Sequence, residues 1–143
     1  MKQPESAVLK QNDNGTASFS AVPYIWEVIK INRGDVYMAE IENVKGSEQK
    51  GLRPAVVIQN NIGNKFSTTT IVAFVTSKRK KNMPTHVKIR CIGLPKKSTV
   101  MLEQIRTISV NRLKNYVGTL GLHDMKRVDR ALKISLGFTK VKG

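Results

Sequence analysis

The sequence predicts a mainly β domain that ends in one helix, a small β-barrel with a helix packed on it. Three observations lead there. Five or six short runs rich in Val, Ile and Thr lie between residues 36 and 120, separated by Gly, Pro and Asn turns. Residues 85–91 alternate, with Val87, Ile89 and Cys91 on one face and His86, Lys88 and Arg90 on the other. A helical stripe comes last, in Leu122, Met125, Val128, Leu132 and Leu136. Strands followed by one helix, with no internal repeat, favour a single small barrel. A chain of 143 residues that is 40% hydrophobic can bury one modest core.

Residues 1–28 are expected to be an N-terminal extension, disordered or loosely packed. Their first twenty residues are polar and lack periodicity. Residues 21–31 are apolar and carry Trp26; periodicity does not choose between helix and strand for them. After the turn Arg33-Gly34-Asp35, Val36–Ile41 reads as the first strand, and 54–60 as the second. Asn60–Asn64 reads as a turn-rich connection. Residues 67–76 form a central strand, and Ser77–Met83 an exposed loop. The alternating strand 85–91, a strand over Val100–Ile108 and a short one over Tyr116–Leu120 complete the sheet. Asp124 suits a helix start and Gly137 a helix end. The domain runs over 29–138, and 139–143 is a C-terminal tail.

Charge narrows the function. The formal net charge is +15, and residues 1–30 cancel, so residues 31–143 hold 22 basic and 7 acidic side chains. A domain this basic suits a polyanionic partner, nucleic acid first. No run reaches the length of a membrane span and no apolar signal core opens the chain, so a cytoplasmic protein without a membrane partner is expected. Cys91 stands alone, which leaves neither an intrachain disulfide nor a thiolate zinc site; it reads as a buried small hydrophobe.

The chain is organised around residues 46–60. A polar loop, Gly46–Leu52, leads into Pro54 and a β-branched run. Pro54 biases Arg53 toward extended geometry and suits a strand start. Arg53 thus stands where a loop meets a stiff strand, a place that favours functional side chains.

The segments Arg33-Gly34-Asp35-Val36-Tyr37, Gly46-Ser47-Glu48-Gln49, Arg53-Pro54, Val57-Ile58-Gln59-Asn60, Ile62–Ser67, Pro84–Val87, Leu102–Ile108 and Val128–Leu136 occur in this order. Together they resemble the MazF/PemK-like toxins, the endoribonucleases of bacterial type II toxin–antitoxin pairs. The resemblance covers roughly residues 29–138. It implies an SH3-like barrel of the PemK/MazF/CcdB type, a homodimer, and metal-independent cleavage of single-stranded RNA (mRNA) at short motifs, with no cofactor. It also implies a cognate antitoxin whose disordered, acidic C-terminal segment blocks the RNA groove. By the same resemblance Arg53 and Thr76 take the catalytic positions. Ser47, Glu48 and Gln49 fall in the loop that closes over RNA, and Asn60, Asn64, Glu103 and Gln104 lie near the groove. The stretch between Thr76 and Pro84 is lysine-rich and slightly shorter than in relatives. Its block Lys78-Arg79-Lys80-Lys81 suits the steering of RNA phosphates.

The residue chemistry fits that expectation. RNA cleaves itself when a 2′-OH attacks the adjacent phosphorus. Catalysis must remove that proton, hold the added negative charge and protonate the leaving 5′ oxygen. A guanidinium matches phosphate oxygens with a planar fork, and a threonine hydroxyl donates a hydrogen bond. An arginine is a poor base, so charge stabilisation is its natural role. The base is left open between Arg53, Glu48 and no protein group. His86 is placed on the solvated basic face, and His123 at a helix start or the surface. Phe66 is open between base stacking and the core. A CcdB-like gyrase poison on the same fold and a non-catalytic nucleic-acid-binding barrel are the competing readings.

Overall fold

A computed structural model of the chain describes residues 30–41, 51–91 and 93–141. Residues 1–29, with Tyr24 and Trp26, and residues 42–50, with Ser47, Glu48 and Gln49, lie outside the described residues.

The elements are β1 (Asp35–Ile41), β2 (Gly51–Val57), α1 (Asn61–Phe66), β3 (Thr69–Thr76), β4 (His86–Ile89), β5 (Ser98–Ser109), a 3-10 turn (Val110–Arg112), β6 (Leu113–Thr119) and α2 (Leu122–Ser135). The six strands form one antiparallel sheet in the order β4-β5-β3-β2-β1-β6. The expected mainly β fold with a C-terminal helix is what the chain adopts. The two edge strands, β4 and β6, are far apart in that order, yet the chain just past β4 packs on β6. A Cβ at Gly93 would lie 2.3 Å from the Val117 carbonyl oxygen, so only glycine fits this approach. The sheet therefore curls back on itself. Among the described residues no ladder joins β4 to β6, so the expected barrel is not closed by hydrogen bonds, and packing alone brings its edges together.

Apolar residues cover both faces of the sheet. One cluster holds Val36, Val56, Val75, Val100 and Leu102, and α2 presses Val128 and Ala131 onto it. The other cluster holds Tyr37, Ala55, Val57, Val72, Phe74, Met101 and Leu113. Strands buried on both faces read as near-continuous apolar runs, as Thr69–Thr76 does. Within the helical stripe Met125, Val128 and Leu132 pack inward, whereas Leu122 and Leu136 at the two ends stay exposed. The inward position Ala131 is too small to stand out as part of an apolar stripe. The helix is tied to the sheet by three polar links. Arg127 donates to the Lys88 carbonyl at 2.9 Å and Ser135 to the Leu102 carbonyl at 2.8 Å. Arg33 bridges the Ile58 carbonyl, at 2.7 Å, and the Asp129 carboxylate, at 2.8 Å.

Several sequence expectations shift. β2 begins at Gly51, not at Pro54, because β1 runs on to Ile41 and supplies partners for Gly51, Leu52 and Arg53. Arg53 is thus a strand residue opposite Ala39 rather than a residue at a loop seam. Pro54 lies one step beyond the end of the β2–β3 ladder, an edge position that tolerates a missing donor. Asn60–Asn64 is not a turn but the start of α1. The Asn60 side chain caps that helix by accepting the Gly63 N–H at 2.7 Å. One turn and a half is too short to show helical periodicity. Asp124 does stand in the first turn of α2, as expected, with Gly121 as the N-cap and Arg127 paired to it at 2.7 Å. Gly137 does end α2, at φ +83°. His86 is not solvated. Its side chain is 5% exposed, because the imidazole turns to a carboxylate on β5.

Candidate nucleic-acid interface

Arg53 and Thr76 sit on neighbouring strands. The β2–β3 ladder ends with Ala55 opposite Phe74. Two residues farther along each strand, past the end of that ladder, come Arg53 on β2 and Thr76 on β3. Residues two apart on a strand share a face, so Arg53 goes with Ala55 and Thr76 with Phe74. The shared face is that of Ala55 and Phe74. Arg53 confirms the direction: its guanidinium carbon lies 5.1 Å from the centre of the Phe74 ring.

The Thr76 hydroxyl is already oriented. Its Oγ1 accepts the Lys78 backbone N–H at 3.1 Å, which leaves its own proton to donate outward. Sequence brings this about locally, since a threonine at a strand end readily accepts an N–H two residues on.

Arg53 lines an open recess of about 240 Å³ with Ile41, Phe74, Gln104, Ile105 and Arg106. Among the described residues no carboxylate lines it. A second recess of about 250 Å³ adjoins it across Phe74 and Arg106, lined also by Glu40, Thr107, Ile108, Ser109 and Arg112. The five described carboxylates are engaged with other groups. Asp35 accepts from Thr119 and from the Asn32 N–H, and Glu40 faces Lys114 at 3.8 Å. Asp124, Asp129 and Glu103 pair with Arg127, Arg33 and His86. The charge of Arg53 thus meets open solvent and an aromatic ring, a setting that attracts an anion.

β5 shapes the rim. Its register with β3 shifts between Ala73 and Val75, so that Val100 faces Val75 while Ile105 faces Ala73. The extra residues bulge there, and a bulge bends the strand. Glu103 and Gln104 lie in that bulge, both exposed. Glu103 is held from two sides, by the Thr85 hydroxyl at 2.9 Å and by His86 Nε2 at 2.9 Å. His86 Nδ1 is buried without a partner. The Nε2 proton is the one donated to the carboxylate.

Burial raises the Glu103 carboxyl, but hydrogen bonds from His86, its own backbone and Thr85, with the His86 charge, outweigh it and hold the group below the usual carboxylate range. A folded value below the unfolded one adds stability above the unfolded value and loses it as pH falls through the folded value. Glu103→Gln is therefore expected to flatten the acid limb of stability against pH. Urea midpoints measured between about pH 6 and pH 3 check this, and parallel limbs would refute it.

The remaining candidates are scattered. Asn64 is spent on internal contacts: it accepts from Gln59 Nε2 at 3.0 Å and from Thr70 Oγ1 at 2.7 Å, and donates to the Gln59 carbonyl at 3.0 Å. That network fastens α1 to β3, so Asn64 serves the scaffold. Asn60 is exposed, with its oxygen committed to the cap. The Lys78 side chain is exposed within a basic loop, as expected for residues 77–83. Phe66 is 75% exposed, with Lys65 over its ring at 5.4 Å, and so has no part in the core. Ser47, Glu48 and Gln49 are outside the described residues. Phe74 and Arg106 line the recess and were not singled out in the sequence. Phe74 reads there as a core residue within an apolar run. Arg106 sits two residues past Gln104, and only the β5 bulge shows which face it takes.

Among the described residues, no group of three or more His, Cys, Asp or Glu side chains comes together, and no helix is long and apolar enough to cross a membrane.

Comparison with known proteins agrees with the fold. The family described as PemK-like, MazF-like toxin of type II toxin-antitoxin system matches residues 32–136. The curated Endoribonuclease MazF of Staphylococcus saprophyticus is 48% identical over 115 residues, covering 78% of this chain and 96% of that protein. A solved mycobacterial endoribonuclease in complex with its cognate antitoxin is 23% identical, with a TM-score of 0.65, over 78% of this chain and 99% of its own. A MazE-MazF structure from Deinococcus radiodurans is 22% identical, also with a TM-score of 0.65 and the same two coverages. These two structures speak for the fold alone. The match of the family across most of the chain and the close relative together place it: this chain belongs to the PemK-like, MazF-like toxins of type II toxin-antitoxin systems.

Proposed function

We propose that the chain is an endoribonuclease toxin that cuts single-stranded RNA (mRNA) at short sequence motifs through Arg53 and Thr76. The observation that carries this reading is Arg53 at a recess where no described carboxylate lies, on a strand beside the one that ends in Thr76. A phosphodiester laid over that pair receives the Arg53 fork and the Thr76 proton on its non-bridging oxygens. The 2′-oxygen then bonds to phosphorus as the P–O5′ bond breaks. The 2′ proton leaves to solvent or a base, and the 5′ oxygen takes one up. The products carry 2′,3′-cyclic phosphate, or 3′-phosphate after hydrolysis, and 5′-OH ends. The chemistry needs no metal, because guanidinium and hydroxyl together meet the charge that grows on the phosphate.

Gln104 at the recess and Glu103 on the bulge stand where they can read a base beside the cut, and Lys78 and its neighbours steer the backbone. Ser47, Glu48, Gln49 and Asn60 complete the proposed RNA contacts by family resemblance alone, while Asn64 holds α1 in place behind them. A homodimer and an antitoxin with an acidic, disordered C-terminal segment follow from the same family reading. An acidic segment suits a face whose own carboxylates are engaged elsewhere.

The test is cleavage of a long single-stranded RNA by the purified full chain in EDTA, with mapping of the ends. Thr76→Val keeps shape and removes the hydroxyl. It is expected to slow cleavage by about 10²-fold, the order found for loss of one donor to a developing oxyanion. Intact RNA with the wild type, or full activity in Thr76→Val, would overturn the proposal.

A further inference from the structure

We infer that Arg106 is a second phosphate-binding group of the same site, sharing with Arg53 the phosphodiester that is cut. The inference rests on the nuclease reading and adds a residue to it. Both guanidinium carbons lie over one ring: Arg53 at 5.1 Å and Arg106 at 5.8 Å from the centre of Phe74. Both line the same recess. Neither has a carboxylate partner among the described residues, although the other described carboxylates pair with Lys, Arg or His nearby or with neutral donors.

Two like charges gathered on one ring repel each other until an anion comes between them. The ring satisfies a guanidinium face but offers nothing to its N–H fork. Two forks with unmet donors, at one open recess, fit a group that has two anionic oxygens on one atom. A phosphodiester is that group. Register supports the same placement. Arg106 lies opposite Val72 on β3, two residues from Phe74, and so on the face that carries Phe74 and Thr76. Arg106 also forms part of the wall between the two recesses. An RNA chain crossing from one to the other must pass its guanidinium.

The charge on phosphorus oxygens grows as the 2′-oxygen adds, so a second fixed cation stabilises the transition state more than bound RNA. The role given to Arg106 is to bind charge, not to transfer a proton.

Single-turnover cleavage of a short RNA with one cut site, at saturating protein, tests the inference. Arg106→Met is expected to lower the rate constant by about 10²–10³-fold. Arg106→Lys recovers only part of it, because an ammonium lacks the fork. A phosphorothioate at the cut phosphate gives a second readout. One diastereomer slows the wild type more than the other, and this discrimination shrinks in Arg106→Lys. Thermal midpoints show whether each variant folds; if the Met variant does not, the Lys variant and its thio effect decide alone. Wild-type rates in the variants, or a loss of affinity with an unchanged saturated rate and unchanged thio discrimination, would overturn the role of Arg106 while the nuclease reading stood. A wild type that cuts nothing would overturn both.

Discussion

Arg53→Ala is expected to lower the single-turnover rate of RNA cleavage by at least about 10²–10³-fold, or roughly 3–4 kcal/mol of transition-state stabilisation. The side chain is exposed, in a strand whose backbone pairs with β1 regardless of its identity. Removing it should leave the fold intact, and the thermal midpoint should stay near that of the wild type. Arg53→Lys is expected to remain poor, since a point charge cannot present two parallel donors to two oxygens. Binding of a 2′-deoxy oligonucleotide, which cannot react, should weaken far less than cleavage slows. A variant that cleaves at the wild-type rate would remove Arg53 from the chemistry. A variant that loses binding and rate in equal proportion would reduce it to an anchor.

Leu102→Ala is expected to cost about 2–5 kcal/mol of stability. Leu102 is wholly buried in the cluster under α2, and its carbonyl accepts the Ser135 hydroxyl at 2.8 Å. It also lies within the stretch of β5 where the register with β3 shifts, next to Glu103 and Gln104. Deleting three carbons there leaves a cavity that the curled sheet and tethered helix cannot collapse onto freely. A typical domain is stable by about 5–15 kcal/mol, so the variant approaches the edge of folding. Chemical denaturation checks this through a lower midpoint with an unchanged m-value. A shift below about 1 kcal/mol would show that the site relaxes around the loss. The contrast with Arg53→Ala is the informative part. One change removes function without stability; the other removes stability from a residue that meets no RNA.

The layout of strands was readable because burial writes itself into alternation. Val87, Ile89 and Cys91 point inward while Lys88 and Arg90 point out, and a one-residue slip would reverse them all. The C-terminal helix was readable for the same reason at a different period. Arg53 and Thr76 were readable as candidates through the ordered motifs around them. Short elements escaped. α1 holds six residues and no buried side chain, so it leaves no periodic trace; only its cap marks it. Pro54 pointed to a strand start three residues late, because a proline is tolerated one step past a ladder's end as well as at a first position.

By itself the sequence determined the composition of the two apolar faces, the strong positive charge of residues 31–143 and the family to which the chain belongs. Only the tertiary structure decided which charges stay unpaid. Ion pairs form between residues far apart in the chain: Arg33 with Asp129, Glu103 with His86. No local pattern announces them, and they draw carboxylates away from Arg53 and Arg106. Register did the same for Phe74, which reads as core in an apolar run yet underlies two guanidiniums once β2, β3 and β5 lie side by side. Periodicity is a property of neighbours along the chain. A site is a property of neighbours across it, and strand pairing is what turns one into the other.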